Sequence, residues 1–386
     1  MIKQVENHSS LAAVVLAFSD YESLELTLAV HSKFFPNIVE EKRVKLYILQ
    51  NGRGSYDCER TFQVAKRYER LFPEDIEVID WVRPQRPYFS LLELFKSTRF
   101  DKYSKILKLD DDVFPLTSGW MQSLWSCYVA SKNELGDKLA YVTSLVNNNP
   151  WGFKKTLEIM GLEKEYFEKV ARPHFVGDSA DNPYSPFRLL SKEEISTGGH
   201  GTIWGYPYIA RWLHEHTTLQ PDSFIEKTRN KGCESILGKE RYSINCMLFE
   251  KNDWEKINDG GDDDELMWQK FCIRNQKRIV ADLEVPMCHL FFFTQRFENK
   301  DLIDRFRSVY KDWLNLPFPI ALNEDRLVEN EARLKFLENK INCYQLPIKA
   351  SFLEKVKHRV QAVLPKNSLG YKFARVCYQN IKKLVN

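Results

Sequence analysis

The stretch Lys105-Ile-Leu-Lys-Leu109 runs directly into Asp110-Asp111-Asp112. The apolar residues predict a short strand, and the acidic triplet marks the point where that strand ends. Further upstream, the apolar run Leu11–Phe18 predicts a first strand, which is followed by Ser19-Asp20 and by a helical pattern that stops at Pro36. A strand, a polar turn and a helix therefore follow one another at the start of the chain.

The same alternation of strand and helix recurs along the chain. Further elements are predicted as strands at Val44–Gln50, Ile76–Asp80, Ala140–Ser144 and Asp282–Pro286, and as helices at Glu59–Phe72 and Leu91–Phe100. Alternating units of this length predict an α/β fold with a mostly parallel sheet that is covered by helices on both faces. Such sheets bind ligands beyond the carboxyl ends of their strands, which makes the polar residues there candidate site residues.

Composition limits the classes of protein that this chain can belong to. Its 386 residues are 43% apolar, which is enough for a sizeable core in two domains or in one large domain with an appendage. The formal net charge of +3 lacks the strong positive field of a nucleic-acid coat, so we expect no nucleic-acid partner. No long apolar span or secretory pattern is evident, and the eight scattered cysteines are interpreted as reduced thiols of a cytoplasmic protein.

The acidic triplet is the first candidate site. Three adjacent carboxylates in a partly desolvated crevice repel one another, and a divalent cation relieves that repulsion. Oxygen ligands favour Mg²⁺ or Mn²⁺, which commonly bridges protein carboxylates to a substrate diphosphate. A solvated acidic turn is the alternative interpretation of the same three residues.

Two further features carry chemistry. The run Gly260-Gly261-Asp262-Asp263-Asp264-Glu265 precedes a helical pattern, and a carboxylate at a helix start beside a cleft is well placed as a general base. Helix capping alone explains one or two of these acids. His289 follows an apolar strand and precedes a run of Phe, where it is either a metal ligand or a buried core histidine.

Taken in order, these motifs resemble those of inverting, metal-dependent glycosyltransferases of the GT-A fold, close to the family 2 type found in bacterial surface-glycan synthesis. The likeness covers about residues 10–300 and includes the Gly-rich segment Thr197–Gly201. It implies a GT-A (Rossmann-like) α/β fold with a mixed, mostly parallel sheet over residues 1–300, which bind the nucleotide sugar and carry the active site. Residues 301–386 are predicted to form a C-terminal helical extension.

The resemblance also assigns roles to residues. It implies Asp263 as the catalytic base, with Asp262 and Asp264 as alternatives in the same acidic run, and Asp112 and His289 as ligands of Mn²⁺ or Mg²⁺. Residues that match the nucleotide-sugar site are Ala17, Ser19, Asp20, Asn51, Asp110 and Asp111. Candidate acceptor residues are His200, Trp204, Asp262 and Asp264.

The activity implied is transfer of a hexose from a nucleoside-diphosphate sugar, expected to be a UDP-sugar, to a glycan or lipid-linked acceptor with inversion. This reaction would serve the synthesis of surface polysaccharide, lipopolysaccharide or capsule. A Mg²⁺-dependent phosphatase of the haloacid-dehalogenase type is an alternative, although Phe114 stands where that family has Thr or Val. A membrane-associated scaffold that keeps the fold without turnover is a further alternative.

The end of the chain suggests where the protein acts. Segment 349–386 is rich in Lys and Arg, and apolar residues recur in it at helical spacing, which predicts peripheral attachment to an anionic membrane, expected to be its cytoplasmic face. A solvated helical face is the alternative. A stripe from Leu327 to Ile341 fits a short coiled coil and suggests a homodimer.

Overall fold

The structure, a computed structural model, describes residues 11–81, 86–170, 207–237, 242, 244–261, 263–291, 295–296 and 298–312. Its strands are β1 Leu11–Ala17, β2 Ile38–Val39, β3 Lys42–Arg43, β4 Leu46–Asn51, β5 Ile76–Trp81, β6 Lys105–Asp110, β7 Val113–Pro115, β8 Leu139–Val146, β9 Cys233–Leu237, β10 Cys246–Glu250 and β11 Arg278–His289. Its helices are α1 Tyr21–Lys33, α2 Tyr56–Leu71, α3 Pro87–Lys96, α4 Trp120–Leu135, α5 Pro150–Met160, α6 Glu163–Glu165, α7 Pro207–His216, α8 Pro221–Thr228, α9 Asp253–Lys256, α10 Asp264–Arg274 and α11 Leu302–Tyr310.

One large sheet organises these elements. Its strand order is β5-β4-β1-β6-β10-β8-β11-β7, and β9 pairs with β11 beside this path. Strands β5, β4, β1 and β6 run parallel, as do β8 and β11, whereas β10 is antiparallel to both of its neighbours. Parallel ladders join more residues than antiparallel ladders, and helices flank the sheet. The predicted α/β class with a mixed, mostly parallel sheet is therefore confirmed.

Local sequence explains the first βα units. Strand β1 is apolar throughout and almost entirely buried, as expected for a central parallel strand. Asp20 caps α1 by accepting a hydrogen bond from the Ser23 backbone N–H at 3.1 Å, and Ser55 caps α2 in the same way. The strand predicted at Val44–Gln50 is β4, and it begins at Leu46 because the Val44 N–H donates to the Asn37 carbonyl just before β2.

Helix α5 sits directly on the end of β8. Asn149 caps it by accepting from the Gly152 N–H at 2.7 Å. A Cβ added at Gly152 would lie 1.8 Å from the backbone oxygen of Val146, so a side chain at this position is excluded by backbone rather than by a movable neighbour. This close approach fixes Asn147, Asn148 and Asn149 in the turn between the two elements.

The later elements close the core. Strand β11 is longer than the predicted Asp282–Pro286, because it pairs with β8, β9 and β7 in succession. Tyr310 of α11 packs against Phe114 with ring centroids 5.5 Å apart, and its hydroxyl donates to the Thr218 carbonyl at 2.5 Å.

The predicted boundary between residues 300 and 301 stays a prediction, and the predicted coiled-coil stripe and basic tail lie outside the described residues.

The structure bears on two predictions, the absence of a membrane-spanning segment and the reduced state of the cysteines. Within the described residues, no helix combines the length and the apolar character needed to cross a membrane. The interpretation that all cysteines are reduced thiols is corrected at one pair, because α4 and β9 both pack on β11 and bring Cys127 and Cys233 together as a disulfide. Four further described cysteines are free and buried, namely Cys58, Cys246, Cys272 and Cys288.

Candidate active site at the carboxyl ends of the strands

The strand register brings several predicted site residues to one edge of the sheet. Ala17 of β1 is level with Gln50 of β4, and Leu16 is level with Asp110 of β6. Asp80 at the end of β5 lies opposite Gln50 on the other side of β4. The carboxyl ends of β5, β4, β1 and β6 therefore form a row, as expected where a parallel sheet binds a ligand.

The first aspartate of the triplet is held by a buried lysine. Lys108 Nζ donates to Asp110 Oδ1 at 2.5 Å and to the Ile244 carbonyl at 2.8 Å, while Asn245 Nδ2 donates to Asp110 Oδ2 at 2.8 Å. Although burial favours the neutral amine, Asp110 and Asp264 raise the pKa of Lys108 above its ordinary value. The lysine is therefore a fixed positive charge between the acidic triplet and the acidic helix start.

The second aspartate faces the end of β1. The backbone N–H of Phe18 donates to Asp111 Oδ2 at 3.3 Å, which ties the triplet to the turn after the first strand. Burial and the neighbouring carboxylate of Asp112 raise the pKa of Asp111 well above its ordinary value. Burial likewise raises the pKa of Asp20, against the opposing effect of Arg296. A cation bound here would therefore relieve the repulsion between these carboxylates.

The third aspartate pairs with two basic side chains. Asp112 Oδ1 lies 3.5 Å from His289 Nε2, and Asp112 Oδ2 lies 3.2 Å from Arg296 Nη2. Arg296 Nε also lies 3.3 Å from Asp20 Oδ2, so the guanidinium bridges the ends of β1 and β6. Although burial opposes ionisation, His289 and Arg296 lower the pKa of Asp112 below its ordinary value. Asp112 is thus an anion held in a buried position.

His289 is oriented as a metal ligand would be. Its Nδ1 lies 2.7 Å from the Asn148 carbonyl oxygen, and since a carbonyl can only accept, Nδ1 carries the proton in this contact. Nε2 then faces Asp112. This contact is favourable either when Nε2 is protonated or when Nε2 and Asp112 both bind one cation. Asp112 raises the pKa of His289 against the effect of burial. Asp112 and His289 offer one carboxylate oxygen and one imidazole nitrogen 3.5 Å apart, and no third acidic, histidine or cysteine ligand atom of the described residues converges on this pair. Such a pair fits a divalent cation that completes its shell with substrate oxygens.

Asp263 and Asp264, at the start of α10, lie in different surroundings. Asp263 is the exposed N-cap of α10, and its Oδ1 accepts from the Leu266 N–H at 3.1 Å. Asp264 is half-buried, and burial raises its pKa against the opposing effect of Lys108. Asp263 is thus exposed to solvent, whereas Asp264 interacts with the buried Lys108.

The predicted nucleotide residues at β1 and β4 are placed at this edge. Ala17 is buried, Ser19 is half-buried, and Asn51 Oδ1 accepts from the Ser90 hydroxyl at 2.7 Å. Beside Asn51, Gln50 Nε2 donates to the carbonyls of Phe18 and Gly52, which ties the turns after β1 and β4 together. Their contact with a nucleotide stays a prediction.

Three predicted acceptor residues lie outside the described residues, namely His200, Trp204 and Asp262. Conversely, sequence reasoning missed Lys108, Asn148, Asn245 and Arg296. Only Lys108 leaves a signal, because it is a lysine inside an apolar strand and lies two residues before Asp110, on the same face.

Comparison with known proteins gives structural likeness only. No protein-family model matches the chain, and no curated protein matches it. Similar solved structures include the mannosyltransferase PcManGT from Pyrobaculum calidifontis in complex with GDP-Man and Mn²⁺, with 12% identity, 97% of this chain and 86% of that chain covered, and a TM-score of 0.39.

The staphylococcal protein TarS is also similar. The chain covers 50% of one S. aureus TarS structure at 12% identity, with 92% of this chain covered and a TM-score of 0.33. It covers 81% of TarS 1–349 at 11% identity, with 92% of this chain covered and a TM-score of 0.36. The chain thus spans half the length of the longer TarS structure. At these TM-scores the likeness carries no argument about activity.

Proposed function

We propose that the chain transfers a sugar from a nucleoside-diphosphate sugar to an acceptor hydroxyl in a metal-dependent reaction. The observation that carries the proposal is the facing pair of Asp112 and His289, set beside Asp111 at the end of β6. A buried carboxylate and an oriented imidazole beside a second carboxylate are suited to a cation that bridges to a diphosphate.

The residues around this pair have distinct proposed roles. Asp112 and His289 would hold Mn²⁺ or Mg²⁺, and such an ion, when bound, offsets the negative charge that develops on a departing diphosphate. Asp20, Asn51 and Asp110 line the row of strand ends where a nucleoside would lie. Arg296 would turn from the carboxylates towards the diphosphate, because its guanidinium suits phosphate oxygens.

Asp263 is the proposed base. Its carboxylate is exposed at the start of a rigid helix, where an acceptor hydroxyl can reach it, and it would take the proton as that oxygen attacks the anomeric carbon. Displacement in one step from the side opposite the diphosphate inverts the configuration. Asp264 would instead keep Lys108 protonated, and Lys108 in turn holds Asp110 in place by a hydrogen bond.

The finer assignments are proposals of the same kind. UDP is the proposed nucleotide, and a glycan or lipid-linked molecule is the proposed acceptor, with Asp262, His200 and Trp204 near it. The basic tail is proposed to hold the protein on the cytoplasmic face of an anionic membrane.

Nucleotide binding tests the metal site first. The thermal midpoint is measured with UDP, GDP, ADP and CDP, each with and without Mn²⁺, because a ligand that binds only the folded state at 100 times its Kd stabilises it by about 2.7 kcal/mol. We expect a Mn²⁺-dependent rise with one nucleotide. Asp112→Asn should abolish that rise, and Asp137→Asn, a fully exposed aspartate, should retain it. An equal rise in all three proteins would refute the metal assignment.

Turnover tests the base. With the nucleotide sugar identified by binding, release of the nucleoside diphosphate is followed for the wild type, Asp263→Asn and Asp264→Asn. We expect Asp263→Asn to keep nucleotide binding and lose at least about a hundredfold in turnover. Unchanged turnover in Asp263→Asn would refute its role, and phosphate release from simple esters without sugar transfer would favour the phosphatase.

A further inference from the structure

A second reactive cluster lies where α4, β9 and β11 meet. Cys233 begins β9 directly opposite Asp282 of β11, and Cys127 reaches the same point from α4. The two sulfur atoms and a carboxylate oxygen of Asp282 all lie within 4.8 Å of one another. Ser123, one helical turn before Cys127, donates to Asp282 Oδ2 at 2.6 Å. Two bonded cysteines and one acidic side chain are thus brought together by three elements, away from the site described above.

The two cysteines differ in their access to solvent. Cys233 is exposed on the edge strand, whereas Cys127 is 4% exposed and Asp282 is 3% exposed. A small disulfide in solution can therefore reach Cys233 but not Cys127. We expect the order of reaction to follow this difference, with the sulfur of the exposed residue reacting first and the sulfur of the buried residue second.

The carboxylate is suited to move the proton of the buried thiol. Burial raises the pKa of Asp282 above its ordinary value, against hydrogen bonds from Ser123 and from the Glu284 backbone N–H. A carboxylate whose proton affinity is raised is a better acceptor for a thiol proton than an ordinary surface aspartate.

We propose that Cys127, Cys233 and Asp282 form a reversible thiol–disulfide site that exchanges with low-molecular-weight disulfides. Cys233 loses its proton to solvent, and its thiolate attacks one sulfur of the small disulfide R–S–S–R. The S–S bond of the small disulfide breaks, a mixed disulfide forms, and the released thiolate takes up a proton from solvent. Cys127 gives its proton to Asp282, attacks the sulfur of Cys233 and expels the second thiolate, which takes up the proton by way of solvent. In sum, two protein thiols and one small disulfide become one protein disulfide and two small thiols.

The bond has a structural consequence. It joins residues separated by 106 positions and fastens the edge strand β9 to α4. Cross-linking so long a loop restricts the unfolded chain strongly, so the oxidised protein should be the more stable form. From β9 the chain continues through Ile244 and Asn245, which contact Lys108 and Asp110, into β10.

Thiol exchange with oxidised glutathione tests the proposal. The reduced full-length protein is treated at pH 7, and intact mass and peptide mapping follow the products. The wild type should lose the mass of two hydrogen atoms and yield a Cys127–Cys233 peptide pair, and its thermal midpoint should rise by several degrees. Pairing of other cysteines, or binding of a divalent metal by the reduced pair in place of exchange, would overturn the proposal.

Variants separate the three roles. Cys127→Ser should stop at a glutathione adduct on Cys233, whereas Cys233→Ser should form no adduct on Cys127. Cys58→Ser, at a buried free cysteine, should close as the wild type does. Asp282→Asn should form the adduct at the wild-type rate and close it roughly tenfold more slowly. Absence of an adduct in Cys127→Ser, or wild-type closure in Asp282→Asn, would refute the assigned order or the proton transfer.

Discussion

Replacement of Lys108 by Met should destabilise the protein by about 3 kcal/mol at pH 7. The Lys108 side chain is nearly fully buried, at 3% exposure, and its ammonium group donates to Asp110 and to the Ile244 carbonyl. Met keeps the length of the apolar stem but leaves both acceptors and the nearby Asp264 without their cation. The cost arises from the carboxylates that stay behind rather than from the lysine itself.

The magnitude follows from the exposure of the partners. Removal of one member of a buried ion pair costs about 3–5 kcal/mol, and the lower end applies here because the Asp110 side chain is 26% exposed and water can partly solvate it. The loss should shrink as the pH falls. Without Lys108 the already raised pKa of Asp264 rises further, so the folded variant takes up a proton more readily than the unfolded chain and gains relative stability at low pH.

Urea unfolding followed by tryptophan fluorescence measures this effect at pH 7 and at about pH 5. Lys108→Arg keeps the charge and should lose less than the Met variant, and Lys138→Met, at an exposed lysine, serves as the matched control. Two results would refute the reasoning. One is a Lys108→Met protein within about 0.5 kcal/mol of the wild type at pH 7, and the other is a loss that is equal at the two pH values.

Three other predictions use the same unfolding assay. Gly152→Ala should cost at least about 3 kcal/mol, because its Cβ would meet the Val146 oxygen at 1.8 Å, and a loss below about 1 kcal/mol would mean that α5 can shift. Tyr310→Phe should cost about 1–2 kcal/mol by leaving the buried Thr218 carbonyl without its donor, and a neutral variant would contradict that bond. Asp112 has a lowered pKa when folded, so the stability it contributes is present above its ordinary value of 3.8 and is lost as the pH falls through the folded value. Asp112→Asn should therefore flatten the acid limb of stability, and an unchanged limb would refute this.

The elements that could be predicted from the sequence are those with a regular pattern of apolar residues. The apolar run of β1 and the short strand before Asp110 are correct because buried parallel strands need continuous apolar residues and end where polar residues begin. The directions of the Asp111 and Asp112 side chains could not be predicted, because β6 ends at Asp110. In the turn to β7 the side chains no longer alternate between the two faces of the sheet.

The remaining features depend on residues far apart in the chain. Arg296 contacts Asp112 although 184 positions separate them in the sequence, and Cys127 contacts Cys233 although 106 positions separate them. Neither contact can be predicted from the spacing of nearby residues. His289 was a candidate from its place after a strand, but the Asn148 carbonyl that orients its ring lies on a different strand end. Contacts of this kind are set by the strand order, which a single sequence does not display.

The position of β10 has a consequence for dividing the protein. This strand, from the later part of the chain, lies between β6 and β8 from the earlier part, and it also brings Asn245 to Asp110. A fragment that ends near residue 170 would lack β10 and β11, which would leave one edge of β6 and both edges of β8 unpaired. These bare strand edges would pair with other chains. Two fragments divided between residues 170 and 207 should instead be insoluble apart and recover the sheet only together. The chain is thus suited to a split reporter in which reassembly of the two pieces also rebuilds the acidic site.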